Sequence, residues 1–130
     1  MHLHKFIFFH SSQINPYLTH YSHLSNGEER MVVVEFSIIP LGVGSSVSKF
    51  IAPALKEMEK RNIKYEVTSM CTIFEANSVK EALEVVAAAH EAVFKTGVNR
   101  IVTMIKIDDR RDKKISMKGK VESLLSHIKE

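Results

Sequence analysis

The segment Ser69-Met70-Cys71-Thr72-Ile73-Phe74-Glu75-Ala76 links a β-rich run to a long amphipathic helical pattern, and the predicted fold is built around it. Its aromatic and β-branched residues predict a strand. The segment also carries a carboxylate at Glu75, a hydroxyl at Thr72 and the single cysteine of the chain, Cys71. We therefore expect this strand to bring polar groups to one face of a sheet, as part of a small-molecule site.

A first strand is predicted further upstream, over residues 32–39, because the run is β-branched and aromatic. Side chains alternate across a strand, so one face is apolar and carries Val32, Val34, Phe36 and Ile38. The other face is mixed and carries Val33, Glu35, Ser37 and Ile39. A strand with one apolar and one mixed face predicts that helices cover only one side of the sheet.

The loop Pro40-Leu41-Gly42-Val43-Gly44-Ser45-Ser46 ends this strand and leads into a helix that runs to about Arg61. A Gly-Ser loop before a helix can hold an anion through backbone N–H groups, but a turn capped by Ser45 or Ser46 is the simpler interpretation. Pro53 predicts a kink or a loosened first turn, and Asn62 predicts the end of the helix. The predicted buried stripe comprises Phe50, Ala54, Leu55 and Met58.

The remaining elements follow from periodicity and capping signals. A second strand is predicted over residues 63–70, directly before the segment quoted above. Ser78, with Glu81 three residues later, predicts a capping box at the start of a second helix that ends at Gly97. The inward stripe predicted for this helix is Val79, Leu83, Val86, His90 and Val93, where His90 is interpreted as a hydrogen-bonded, partly buried histidine rather than a ligand. A fourth strand over 99–108 and a helix over 117–128 complete the pattern; Val121, Leu124, Leu125 and Ile128 are predicted to face inward.

The element order β-α-β-β-α-β plus a terminal helix predicts an α+β fold of the ferredoxin-like type. In this fold two helices cover one face of a four-stranded antiparallel sheet and leave the other face open. A half-apolar open face is an expected association surface. We therefore expect a homo-oligomer assembled through that face.

The composition of the chain excludes several classes of protein. The chain has 130 residues and a formal net charge of +3, which is too mild to indicate a nucleic-acid partner. A single cysteine excludes an internal disulfide and a paired-cysteine metal site. Apolar runs are too short to span a membrane, and a cytoplasmic location is the default expectation.

Residues 1–30 differ from the rest of the chain, because they contain five of the seven histidines and are broken by Ser-Ser, Asn-Pro and Asn-Gly. A metal-binding arm is one interpretation, although the histidine spacing fits no compact zinc pattern. We favour a poorly ordered leader over 1–30, produced by translation starting upstream of a natural start at Met31. The ligand-binding domain is then expected over 31–130.

Several functions that share this fold do not fit the sequence. The first loop has no arginine to hold a phosphate as an acylphosphatase would. An RNA-binding sheet needs aromatic residues on its open face to stack bases, but the first strand has one aromatic residue, Phe36, and the fourth has none. Polar groups at sheet and loop positions suit the recognition of a small polar molecule instead. Those groups are Glu35, Ser37, Ser45, Ser46, Thr72, Glu75, Lys106 and Arg110.

Four motifs resemble a known family. They are Ile39-Pro40-Leu41-Gly42 with Ser45-Ser46; Tyr65-Glu66 followed by Met70-Cys71-Thr72 and Glu75-Ala76; Ala88-Ala89-His90-Glu91-Ala92-Val93 with Gly97; and Ile107-Asp108-Asp109-Arg110-Arg111-Asp112 with Lys120-Val121-Glu122-Ser123. Together, over about residues 32–128, they look like the thiamine-binding family of small ferredoxin-like proteins. One departure is Cys71, where that family usually has glycine; a side chain there is expected to narrow the pocket or to shift the strand.

The resemblance implies a non-enzymatic binder of thiamine or hydroxymethylpyrimidine, with no other cofactor and no metal. It also implies dimers or tetramers formed through sheets, with ligand sites near subunit contacts. The residues that it carries over are Pro40, Gly42, Ser45, Thr72, Glu75 and Arg110, and the pattern of the first strand adds Glu35 and Ser37 as ligand-binding candidates. A regulatory or structural oligomer that senses another small molecule or binds a protein partner is the alternative, and an enzyme of thiamine-related substrates is a third.

Overall fold

A computed structural model of the chain describes residues 30–130. The predicted leader lies outside the described residues, apart from Arg30. The elements are β1 (Val32–Leu41), α1 (Ser48–Lys60), β2 (Tyr65–Val67), β3 (Thr72–Ala76), α2 (Val79–Phe94), β4 (Arg100–Asp108) and α3 (Met117–Ile128). They form one four-stranded antiparallel sheet in the order β2-β3-β1-β4. The predicted α+β, ferredoxin-like order with an added terminal helix is confirmed.

The hydrophobic core lies between the sheet and the pair α1 and α2, on one side of the sheet only. The alternation predicted for β1 is confirmed, since the side chains predicted to face the helices are at most 7% exposed; they are Val32, Val34, Phe36 and Ile38. Phe74 of β3 is fully buried and packs edge-to-face on Phe36, with ring centroids 5.7 Å apart. The opposite side of the sheet is the open face.

The loop after β1 differs from the prediction at the start of α1. Val47 is the N-cap residue, and no side chain caps the helix, so the predicted cap at Ser45 or Ser46 is wrong. Gly42 and Gly44 have φ angles of 78° and 89°, which only glycine adopts freely, and these turns leave both serines exposed before the helix begins. α1 continues through Pro53, and Asn62 follows it with a φ of 56°, as expected of a helix stop.

The turn between β2 and β3 makes both strands shorter than predicted. The Thr68 hydroxyl accepts hydrogen bonds from the backbone N–H groups of Met70 (3.3 Å) and Cys71 (3.1 Å). The backbone N–H of Thr68 in turn donates to the Cys71 carbonyl at 2.9 Å. Because a threonine hydroxyl that binds amides further along the chain favours a turn over a strand, β3 begins at Thr72 rather than at Ser69.

The start of α2 confirms the predicted capping box. The Glu81 backbone N–H donates to Ser78 Oγ at 3.0 Å, and Glu81 Oε2 accepts from the Asn77 backbone N–H at 2.7 Å. Gly97 follows the helix with a φ of 94°, as expected. The predicted stripe is wrong at Leu83, which is 49% exposed. The buried face of α2 is centred on small and β-branched residues instead: Ala82, Val85, Val86, Ala89, Ala92 and Val93.

Replacement of Ser78 by alanine is expected to lower the free energy of unfolding by about 1 kcal/mol, because the Glu81 amide loses its partner. Urea unfolding followed by circular dichroism measures this change. Ser126→Ala is the matched control, since its hydroxyl donates only to the Ser123 carbonyl within α3. Equal stability of the Ser78→Ala and Ser126→Ala proteins would contradict the capping role.

The C-terminal helix differs most from the prediction. Val121, Leu124, Leu125 and Ile128 were expected to face inward, but they are 56%, 63%, 48% and 69% exposed. Only Met117, at the start of α3, is buried. A helical stripe indicates that something covers it, and it does not indicate which surface does so. Within residues 30–130 no helix combines the length and the apolar character needed to cross a membrane.

Candidate functional site

The open face of the sheet carries a charged half and an apolar half. Strand pairing sets Glu35 beside Lys106 and Ser37 beside Met104. Towards the start of β1 the face carries Val33, flanked by Glu75 and Asp108. Towards the end of β1 it carries Ile39, Leu41, Val102 and Arg100. Polar recognition groups therefore lie next to an apolar surface.

A shallow cleft of about 460 Å³ lies on this face and is lined by Glu35, Ser37, Met104, Ile105 and Lys106. The cleft is about half open, so a ligand held by this face alone would keep part of its surface in water. Lys106 Nζ lies 3.5 Å from Glu35 Oε2, and the side chains are 77% and 44% exposed. An ion pair this exposed contributes little to the stability of the fold. A ligand amine can therefore replace the Lys106 ammonium beside the Glu35 carboxylate at a small cost in free energy.

Two of the predicted site residues, Glu35 and Ser37, lie together in this cleft. Glu75 shares their face, because Glu35 pairs with Ile73 and Glu75 is two residues further along β3. The Glu75 carboxylate already has a partner: Oε1 accepts the backbone N–H of Met117 at 2.7 Å. Glu75 thus fastens the first turn of α3 beside the cleft.

Thr72 lies on the other side of the sheet. It pairs with Phe36, is 8% exposed and faces the helices, so the sheet separates it from Glu35, Ser37 and Glu75. The odd spacing between Thr72 and Glu75 requires this separation, because side chains alternate along a strand. Pro40 is also buried on the helix side, where it pairs with Ile101.

The other carried-over residues lie at opposite ends of the sheet. Gly42 and Ser45 belong to the loop after β1, next to the start of β4, whereas Arg110 follows the end of β4. The length of β1 separates these ends by roughly 25 Å. A single described chain therefore does not bring Gly42, Ser45 and Arg110 into one site.

Arg110 is engaged by a neighbouring carboxylate. Its Nε and a terminal nitrogen donate to the two Asp112 carboxylate oxygens at 2.7 and 2.9 Å. These hydrogen bonds lower the pKa of Asp112 to about 2 and raise the pKa of Arg110 above its usual value. Hydrogen bonds from Arg30, and to a lesser extent Arg111, likewise lower the pKa of Asp109. Residues 109–112, after β4, thus take part in a surface network of ion pairs, and a ligand that binds Arg110 would have to displace Asp112.

The structure adds Met104, Ile105 and Lys106 to the predicted cleft residues. Lys106 had been noted as a polar group of the fourth strand, and the alternation of that strand already placed Met104 and Lys106 on one face. Their position opposite Ser37 and Glu35 depended on the pairing of β1 with β4, which no single strand reveals. Lys120 of α3 also pairs with Asp108 at the charged end of this face.

Other candidate chemistry has a structural explanation. His90 Nδ1 and Thr103 Oγ1 share a hydrogen bond of 2.6 Å, and the ring packs on Phe94, which confirms His90 as a satisfied, partly buried histidine. Cys71 is half-buried, and its sulfur lies 3.4 Å from the Thr68 hydroxyl. Among residues 30–130 no group of three metal-ligating side chains is gathered in one place.

Comparison with known proteins identifies the family. Residues 34–125 match the family described as "Thiamine-binding protein". A UPF0045 protein of Methanothermobacter thermautotrophicus is 43% identical over 99 residues, covering 75% of this chain and 100% of that protein. UPF0045 protein YqgV of Bacillus subtilis is 39% identical over 103 residues, covering 75% of this chain and 98% of that protein. The chain belongs to the thiamine-binding protein family, as the sequence motifs predicted.

Solved structures agree with the fold. The crystal structure of protein MJ1052 from Methanocaldococcus jannaschii superposes with a TM-score of 0.67 at 39% identity, over 73% of this chain and 96% of that one. A Thermotoga maritima protein, described as a candidate for thiamine biosynthesis or salvage, superposes with a TM-score of 0.61 at 21% identity, over 72% of this chain and 98% of that one. The second likeness shows the fold alone.

Proposed function

We propose that this protein binds thiamine, or its hydroxymethylpyrimidine precursor, in the cleft of the open face. The observation that carries the proposal is the juxtaposition of Glu35, Ser37 and Met104 on two paired strands. Membership of the thiamine-binding protein family supports the same ligand class. Of the ligand-binding residues predicted from the sequence, Glu35 and Ser37 line this cleft and Glu75 lies on the same face of the sheet.

The chemistry of the cleft suits an aminopyrimidine. The Glu35 carboxylate can accept a hydrogen bond from the exocyclic amine once Lys106 moves aside, and its charge favours a cationic thiazolium nearby. The Ser37 hydroxyl can bind a ring nitrogen or a hydroxymethyl oxygen. Met104 offers an adaptable apolar contact for the ring. These groups orient a ligand, and the proposal is of binding without turnover.

Assembly and location form part of the same proposal. A ligand in an open cleft keeps one side in water, so a homo-oligomer formed over the open face would complete the site, and we expect a cytoplasmic protein. The second candidate is a regulatory or structural oligomer that acts on a protein partner. The specific observation in its favour is the exposed apolar stripe of α3.

Calorimetric titration with thiamine and with hydroxymethylpyrimidine tests the proposal. Glu35→Gln is expected to weaken binding of the better ligand about tenfold or more, because a hydrogen bond to a charged group contributes about 1.5–3 kcal/mol. Glu84→Gln is the matched control, since Glu84 is exposed on α2 behind the sheet. Its affinity should equal that of the original protein.

Two results would contradict the proposal. The first is that neither ligand, at millimolar concentration, gives a heat of binding or raises the melting temperature of the protein. That result would exclude even micromolar binding, because the stabilisation of the folded state grows with the logarithm of the ligand concentration divided by the dissociation constant. Equal affinities for the Glu35→Gln and Glu84→Gln proteins would place the ligand outside the cleft. Turnover of either ligand would favour the enzyme alternative.

A further inference from the structure

The cleft of the open face holds an acidic and a basic side chain that lie next to each other. Glu35 of β1 and Lys106 of β4 are direct partners in the pairing of these two strands. Lys106 Nζ lies 3.5 Å from Glu35 Oε2, which is beyond the usual hydrogen-bond length of about 2.7–3.2 Å. The two charges therefore attract each other, but the carboxylate and the ammonium both keep their capacity to form hydrogen bonds with a ligand.

The nearby charged groups of the same face are already engaged or lie far away. Asp108 of β4 pairs with Lys120 of α3. Glu75 accepts a backbone N–H of α3 at 2.7 Å. Arg100, at the other end of β4, lies on the order of 20 Å from Lys106. Among the residues that line the cleft, Lys106 is thus the one base, and its exposed side chain can turn towards a ligand.

We propose that Lys106 makes the cleft selective for a phosphate ester, so that hydroxymethylpyrimidine phosphate is bound in preference to the free alcohol. This selectivity rests on the proposed function, because it requires an aminopyrimidine beside Glu35. A phosphate monoester carries a charge of about −1.5 to −2 at neutral pH, and an ammonium holds it through charge-assisted hydrogen bonds. A neutral or cationic ligand offers Lys106 no such partner.

The positions of the two charges match the positions of two groups on the ligand. In hydroxymethylpyrimidine the amine and the hydroxymethyl group are attached to neighbouring ring carbons. When the amine donates to the Glu35 carboxylate, a phosphate on the hydroxymethyl oxygen therefore lies within reach of the neighbouring Lys106 ammonium. In thiamine phosphate the ester is attached to the second ring, away from the amine, so we expect no comparable gain for that ligand.

Lys106 has the opposite effect on a ligand without a phosphate. Its ammonium competes with the ligand amine for the Glu35 carboxylate, and it repels a cationic thiazolium. Removal of the Lys106 charge should therefore weaken binding of the phosphate ester, and it should leave binding of the free alcohol and of thiamine unchanged or stronger. Effects of opposite sign on two ligands that share one ring cannot arise from a general loss of structure.

Calorimetric titration of the full chain with hydroxymethylpyrimidine, its phosphate ester, thiamine and thiamine phosphate tests this selectivity. The original protein is expected to bind the ester about tenfold more tightly than the free alcohol, the lower end of what hydrogen bonds between charged groups contribute. Lys106→Met should abolish this preference. Lys80→Met is the matched control, because it removes the same charge from an exposed position of α2 behind the sheet, and it should keep the preference.

Lys106 is 77% exposed, so its replacement should leave the fold intact. Circular dichroism checks this, and Lys106→Gln serves as the second variant if Lys106→Met unfolds.

Four results would overturn the proposal. The first is equal affinity of the original protein for the ester and the free alcohol. The second is a preference for the ester that survives in the Lys106→Met and Lys106→Gln proteins, which would place the phosphate elsewhere. The third is a preference that Lys80→Met also abolishes, which would be an effect of net charge. The fourth is inorganic phosphate that binds as tightly as the ester, because the ring would then contribute nothing.

The same titrations separate the failure of this selectivity from the failure of the proposed function. If the free alcohol binds and Glu35→Gln weakens its binding, but the ester binds no more tightly, the proposed function is supported and the selectivity is wrong. If neither the ester, the free alcohol nor thiamine binds at millimolar concentration, both are wrong. A preference for the ester that Lys106→Met abolishes, together with weaker binding of both pyrimidines to the Glu35→Gln protein, supports both.

Discussion

Replacement of Phe74 by alanine is expected to lower the free energy of unfolding by about 3–5 kcal/mol, the usual cost of removing a large buried aromatic side chain. Phe74 is fully buried in β3, lies on the helix side of the sheet, and is among the largest fully buried side chains. Its ring meets Phe36 of the central strand at an interplanar angle of 80°. Because domains of this size are stable by about 5–15 kcal/mol, this single change would remove a large share of the total.

Urea unfolding monitored by circular dichroism measures this loss, and an unchanged dependence on urea shows that the folded state is otherwise intact. Ile73→Ala is the matched control, because Ile73 is the preceding residue and lies on the open face, half-buried. It should cost less than half as much as Phe74→Ala. Similar losses at both positions would contradict a core confined to the helix side of the sheet.

Local sequence signals predicted the fold well, because they arise from contacts within a few residues. The alternation in β1, the capping box at Ser78 and the helix stop at Gly97 depend only on strand geometry, a hydroxyl near an amide and a positive φ angle. The short β2 was missed for a related reason. The Thr68 hydroxyl accepts hydrogen bonds from the backbone N–H groups of Met70 and Cys71, and these bonds favour a turn over a strand. The pattern of apolar residues carries no information about such bonds.

The residues of the candidate cleft were predicted less completely, because the cleft depends on pairing between distant strands. Alternation correctly predicted that Glu35 and Ser37 lie on the open face, but the pairing of β4 with β1 is needed to show that Lys106 is the direct neighbour of Glu35. Thr72 was grouped with Glu75 as a polar group of the same strand and again through the family resemblance, but the alternation along β3 places the two side chains on opposite faces of the sheet. The sequence does not show which surface covers the apolar residues of α3, Val121, Leu124, Leu125 and Ile128. An amphipathic helix has the same sequence pattern whether its own chain or another molecule covers its apolar side.

Replacement of Glu75 by alanine is expected to release the first turn of α3. The carboxylate accepts the Met117 backbone N–H at 2.7 Å, and it lies at the positive end of the helix dipole. A hydrogen bond to a charged group contributes about 1.5–3 kcal/mol, so amide hydrogen exchange in α3 should accelerate about 10- to 100-fold while the amides of β1 keep their protection. Glu66→Ala is the matched control, because Glu66 shares the open face but belongs to β2.

The Glu75→Gln protein separates the two roles that Glu75 can have. An amide oxygen still accepts the Met117 N–H, so α3 should keep most of its protection, whereas a cationic ligand loses the attraction of the carboxylate. If Glu75 contacts the ligand, Glu75→Gln weakens thiamine binding at least several-fold while α3 stays in place. If Glu75 only anchors α3, the Glu75→Gln protein keeps its affinity for thiamine, and only the Glu75→Ala protein binds thiamine more weakly. Unchanged α3 exchange in the Glu75→Ala protein would contradict the anchor. The other polar contact of this first turn with the sheet, from Lys120 to Asp108, is an exposed ion pair that contributes little to stability, so the packing of the buried Met117 side chain would then have to hold α3 in place.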